Sequence, residues 1–124
     1  MILSLTLLLL TPPPPDCRNP GTWATQTVPQ ECAVRPLEIP ETEMNRALAE
    51  AVRELRAIDR ANRGLNAEQK LMASQRAWIA YRGAHCALAG LQAIDVDLQG
   101  TLVDRCRVEM TEQRTMDLRT FTRR

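Results

Sequence analysis

Gln75-Arg76-Ala77-Trp78-Ile79-Ala80-Tyr81-Arg82-Gly83-Ala84-His85-Cys86 is the stretch on which the reading of this chain turns. It holds one of the two tryptophans, the only tyrosine and the only histidine of a 124-residue sequence. Helical spacing puts Leu71, Gln75, Trp78, Ile79, Arg82 and Cys86 on one face. Aromatic side chains are so scarce here that Trp78 and Tyr81 are expected to supply the largest blocks of buried surface and to organise their neighbours.

Outward from this stretch the pattern stays helical. On its N-terminal side, Asn66 with Gln69 three residues on resembles a capping box, so the helix should run from Ala67 to about Ala89. Before it, Met44, Leu48, Ala51, Val52, Leu55 and Ile58 recur at three- and four-residue spacing. That marks an amphipathic helix with Pro40 in its first turn and Gly64 as a left-handed stop. On the C-terminal side, Gly90 to Gln99 is the least regular segment, with Asp95 and Asp97 as candidate caps. A last helix from about Leu98 to Phe121 carries the stripe Leu102, Cys106, Met110, Gln113, Arg114, Leu118 and Phe121. The fold expected is all-α, a small disulfide-bonded helical bundle with a long antiparallel helix hairpin.

The N-terminal third differs. Residues 2–10 are an apolar run too short to span a bilayer and suited to a signal-peptide core, although no basic segment precedes it and no small-residue cleavage site follows. Pro12 to Pro15 can only be extended. Residues 1–15 are therefore read as a signal peptide and proline-rich leader, and 16–124 as the helical domain, periplasmic or secreted, with no membrane span once the leader is removed. Between Asp16 and Pro40, five breakers leave room for one short helix at most, with Trp23 as an anchor.

Four cysteines, Cys17, Cys32, Cys86 and Cys106, fit two disulfides in an exported domain. Three pairings are possible. The nearest-neighbour one closes loops of about fifteen and twenty residues, each contributing roughly 3 kcal/mol by the chain-entropy model. A four-cysteine zinc site is the rival, and it usually shows the C-x-x-C pairs that are absent here. If Cys86 and Cys106 are bonded, paired residue numbers along the hairpin sum to about 192. Trp78 then lies opposite Arg114, Arg82 opposite Met110, Gln75 opposite Asp117 and Leu71 opposite Phe121. An arginine over the indole face follows.

Charge and chemistry narrow the function. Sixteen Lys plus Arg against fifteen Asp plus Glu give a net charge of +1, which argues against nonspecific binding to nucleic acid. Arg82 and Arg114 sit on apolar stripes and need partners there. A carboxylate such as Asp117 or helix-end carbonyls would make them structural, and a ligand would make them a binding cluster. His85 and Cys86 point about 100° apart on a helix and cannot form a nucleophile pair. A lone histidine supports no His-based metal site. Glu41 with Glu43, and Asp95 with Asp97, read as solvated helix starts. No nucleophile, base and orienting group can be assembled, so neither catalysis nor a cofactor is expected.

Cys17, Thr25-Gln26 before Cys32-Ala33, Glu43-Met44-Asn45, Gln75-Arg76-Ala77-Trp78-Ile79, Tyr81-Arg82 and Cys86, then Cys106 with Met110-Thr111, Arg114-Thr115 and Leu118, resemble the LprI-type lysozyme-inhibitor family of exported bacterial domains. The resemblance runs from Asp16 to Leu118, with Gln75, Trp78, Tyr81, Arg82 and Arg114 as its structural signature. It implies an all-helical, disulfide-bonded envelope domain and, for a minority of members, inhibition of lysozyme. The partner implied is a lysozyme or another envelope protein; the alternative is a non-catalytic interaction module of the envelope without lysozyme activity. Pro29, Pro36 and Pro40 depart from the family's more continuous helix around its second cysteine, and a Gly-Gly turn between the third and fourth cysteines is missing. The signature stretch serves as scaffold in this reading, leaving the binding surface to the proline-rich arm or the Gly90 to Gln99 loop.

Overall fold

The computed structural model describes residues 34–122. These form three helices, α1 (Glu38–Ala61), α2 (Ala67–Ala89) and α3 (Val96–Arg119), with a 3₁₀ turn at Gly90–Gln92 and no strand among the described residues. Each helix packs against the other two. The expected all-α bundle and antiparallel hairpin are both present. Cys17, Cys32, Trp23 and the expected leader at residues 1–15 lie outside the described residues.

Helix α1 starts two residues ahead of Pro40, which occupies its first turn, where a missing N–H leaves no intrahelical bond unmade. Glu38 and Glu41 lie in that turn and favour the positive end of the helix dipole. Its buried stripe is Pro40, Met44, Ala47, Ala51 and Leu55, and small alanines at its centre let another helix approach closely. Met44, Ala47, Ala51, Leu55, Leu71 and Leu118 form one buried cluster drawn from all three helices.

The turn from α1 to α2 is made by Gly64 at φ +96° and Asn66 at φ +52°. Gly64 adopts the left-handed conformation at no steric cost. The expected capping box does not form, because Asn66 is itself left-handed and its side chain makes no capping bond. Asp59, one turn back on α1, takes over. Its carboxylate accepts from the Ala67 N–H at 2.7 Å and from the Glu68 N–H at 3.1 Å. Those two bonds satisfy donors that the first turn of α2 leaves without helical partners.

Tyr81 and Trp78 do not divide the core as their size suggested. Tyr81 is 58% exposed and stacks on His85, while Trp78 packs half-buried on the edge of the cluster. Ile79, placed on the inner face by spacing, is also exposed. The centre of the bundle is filled by aliphatic and small residues, because α2 turns only Leu71, Gln75 and Cys86 fully inward.

Helix α3 begins at Val96, two residues earlier than expected, with Asp95 as its cap accepting from the Asp97 and Leu98 N–H groups. Its buried residues are Leu102, Val108, Thr111, Thr115 and Leu118, whereas Gln113 and Phe121 from the expected stripe are exposed. A helix wedged between two others must bury more than one stripe, and α3 does so with threonines. Thr111 and Thr115 donate to the carbonyls of Arg107 and Thr111, at 2.7 and 2.9 Å. Their hydroxyls are thereby satisfied against their own helix and can be buried.

Candidate functional site

Cys86 and Cys106 are bonded, with Cα atoms 5.4 Å apart. The bond joins the last turn of α2 to the middle of α3. One helical turn below it the arginine cluster begins. Arg82, whose side chain is 14% exposed, pairs through Nη2 with Glu41 of α1 at 2.9 Å. Its Nη1 donates to the Thr111 hydroxyl of α3 at 2.8 Å, and its guanidinium lies 5.0 Å from the centre of the Trp78 ring. A single side chain on α2 therefore ties all three helices together.

Arg114 approaches the same indole from α3, at 5.9 Å, where the hairpin register expected it. Its Nε donates to Gln75 Oε1 and its Nη2 to Ser74 Oγ, both at 3.0 Å. Gln75, almost fully buried, turns its amide nitrogen to the Met44 sulfur at 3.6 Å. Burial lowers the Arg114 pKa from its ordinary value, and the nearby charge of Asp117 works against that shift. An arginine starts so far above neutrality that it stays charged.

The expected pairing drifts along the hairpin. It holds at the disulfide and at Trp78 with Arg114. Gln75, however, meets Arg114 and not Asp117, and Arg82 reaches Thr111 where Met110 was expected. Leu71 joins Leu118 in the core while Phe121 lies outside it. Contacts between packed helices interdigitate in steps of three and four residues and arginines reach along the hairpin, so individual partners depart from the constant sum by up to a turn. Asp117 instead accepts from Gln113 on its own helix. Glu41, read as a solvated helix start, is the carboxylate that neutralises Arg82. Spacing gave neither Glu41 nor Thr111 as a partner of Arg82, since Glu41 lies on α1, outside the hairpin, and Thr111 lies off the apolar stripe that located the arginines.

Other charged contacts lie away from this cluster, among them an Arg107–Asp104 pair at 3.7 Å within α3. Arg35 bridges Glu43 and Glu112, at 3.5 and 2.9 Å. Near the α1–α2 turn, Arg56 grips Glu68 with two bonds of 2.8 and 2.7 Å. That fork holds the Glu68 carboxyl below its usual range and raises the Arg56 value.

At the other end of the hairpin the side chains are of a different kind. Leu88, Leu91, Ile94 and Val96 are 61, 77, 100 and 76% exposed. The backbone under them is well held. Gly90 is buried, with Val103 so near that an added Cβ would sit 3.1 Å from it. Gln99 donates to the Ala93 carbonyl at 2.8 Å, and Asp95 caps α3.

The family model described as Lysozyme inhibitor LprI matches residues 17–118. The chain belongs to the LprI lysozyme-inhibitor family. Beside that match, an uncharacterized protein of Rhizobium meliloti (strain 1021) is 32% identical over 127 residues, covering 94% of this chain and 89% of that protein. No solved structure matches at a significant level. Within this LprI-family chain the Gln75, Trp78, Arg82 and Arg114 side chains converge on one cluster, while Tyr81 stands outside it against His85. None of the described helices is long and apolar enough to cross a membrane.

Proposed function

We propose that this protein is an exported cell-envelope protein, periplasmic or secreted, that binds a lysozyme-type hydrolase without being an enzyme itself. The observation that carries the reading is the lysozyme-inhibitor family match, which spans nearly the whole chain past the leader. The Cys86–Cys106 bond supports it, since such bonds persist in oxidising compartments. Residues 1–15 act as the leader, and Cys17 and Cys32 form a second disulfide in residues 16–124. The arginine cluster is scaffold: each polar atom of Arg82 and Arg114 described above is already engaged within the bundle.

A muramidase turbidity assay with the mature, oxidised protein tests this directly. Inhibition at micromolar protein is expected, and full muramidase activity at high micromolar protein would refute it. The near-neutral charge of +1 favours a second reading, since a generally acidic surface would better attract basic lysozymes. In that reading the protein is a non-catalytic interaction module of the envelope. Pull-down from envelope extract with lysozyme as competitor separates the two, because only the first loses its partner to the competitor.

A further inference from the structure

Outside the arginine cluster, the feature that packing leaves unexplained is the α2–α3 tip. Four large aliphatic side chains within nine residues, Leu88, Leu91, Ile94 and Val96, point into solvent. Monomeric proteins seldom expose such a concentration unless it meets another surface. Nor is the tip a loosely built loop. The buried Gly90, the Gln99 to Ala93 bond, the Asp95 cap and the Cys86–Cys106 bond all fix its backbone. A surface fixed before binding loses little freedom on binding, which raises affinity.

Charge identifies the occupant. From Gly83 to Val103 the sequence holds Asp95 and Asp97 and no lysine or arginine, in a chain whose net charge is +1, and Asp104 just beyond pairs with Arg107 at 3.7 Å. The flanking basic residues in sequence are Arg82, which is committed to Glu41, and Arg105. Asp95 and Asp97 stand among the exposed aliphatic residues themselves. The tip therefore joins a convex apolar surface to negative charge, although the whole chain is almost neutral. Its complement is a concave apolar recess rimmed by lysines and arginines.

We infer that the α2–α3 tip, Leu88 to Asp97, is the docking surface of this protein, and that it enters the cleft of a basic hydrolase of the lysozyme type. This rests on the hydrolase-binding reading above and assigns it a place. Ile94, fully exposed, is the central apolar contact, and Asp97 supplies charge.

The test is a binding titration of the full, oxidised protein against a basic c-type lysozyme, using wild type, Ile94→Arg, Asp97→Asn and Leu65→Ser. Leu65 is a half-exposed aliphatic residue at the opposite turn and serves as the control. Circular dichroism verifies that each variant is folded. Ile94→Arg is expected to weaken binding at least tenfold. Asp97→Asn is expected to weaken it severalfold at low salt and less at high salt, with Leu65→Ser binding as wild type does. Unchanged binding by Ile94→Arg, or an equal loss in Leu65→Ser, would overturn the assignment while leaving hydrolase binding intact. Absence of binding by the wild type would instead overturn the hydrolase reading, and the assignment with it.

Discussion

The two turns of this bundle solve the same problem with opposite means. Between α1 and α2 the chain reverses through left-handed Gly64 and Asn66, secured by the Asp59 carboxylate and the Arg56–Glu68 fork. Every device there is polar and reversible. Between α2 and α3 a covalent bond and a buried glycine join the Asp95 cap and the Gln99–Ala93 bond in fixing the reversal, and large aliphatic side chains are turned outward. A turn needs polar residues when it has only solvent to face. Where a disulfide carries part of the constraint, more of the outward side chains are free to serve another surface.

The largest effect expected from breaking this contrast is at the covalent turn. Replacing both Cys86 and Cys106 by alanine should cost about 3 kcal/mol, as closure of a loop of about twenty residues implies. Thermal melting by circular dichroism reads it, and a melt within a degree or two of wild type would show that packing alone holds the hairpin.

Next comes the cluster between the turns. Arg82→Ala removes the Glu41 pair, the Thr111 bond and the contact with Trp78 together. A loss of about 2 kcal/mol is expected, in the range for charged hydrogen bonds. Arg82→Lys should recover only part of it, because an ammonium cannot reproduce the guanidinium fork. Chemical denaturation of both variants checks the ranking.

At the polar turn the effect should depend on pH. The backbone bonds from Ala67 and Glu68 hold the Asp59 carboxyl below its usual value, against a smaller opposing effect of burial. Glu68 is held low by Arg56. A folded value below the unfolded one means that protonation disfavours the native state. The contribution of both groups is complete above their unfolded values, about pH 4, and is lost as pH falls through the lowered folded values. Asp59→Asn should therefore melt lower than wild type at neutral pH and lose less on acidification. Parallel melting curves of the two proteins from neutral pH to pH 2 would contradict this.

The smallest effect belongs to the tip. Ile94→Ser touches a side chain with no packing to lose, so its stability should stay within about 0.5 kcal/mol of wild type. A measurable loss would mean that Ile94 is covered in solution.

Periodicity revealed the three helices and their ends because the apolar spacing in α1 and the Asp95 cap are local signals. The register of Trp78 against Arg114 followed from a single covalent assumption. What spacing could not supply was the third partner. Glu41 lies on a helix outside the hairpin, so its ion pair with Arg82 was invisible in the pattern of α2 and α3. Thr111 and Thr115 are buried because the carbonyls one turn back satisfy them, and composition alone counts such residues as surface. Tyr81 misled for the converse reason, since a large ring signals burial only where a helix face is actually covered.

The core cluster also sets the order in which this chain can become a protein. Met44, Ala47, Ala51 and Leu55 of α1 are closed over by Leu71 and by Leu118, which is completely buried in the last turn of α3. During synthesis the apolar face of α1 stays uncovered until nearly the entire domain has been made. Folding therefore cannot finish until the final helix has been made, because only then is the α1 face fully covered.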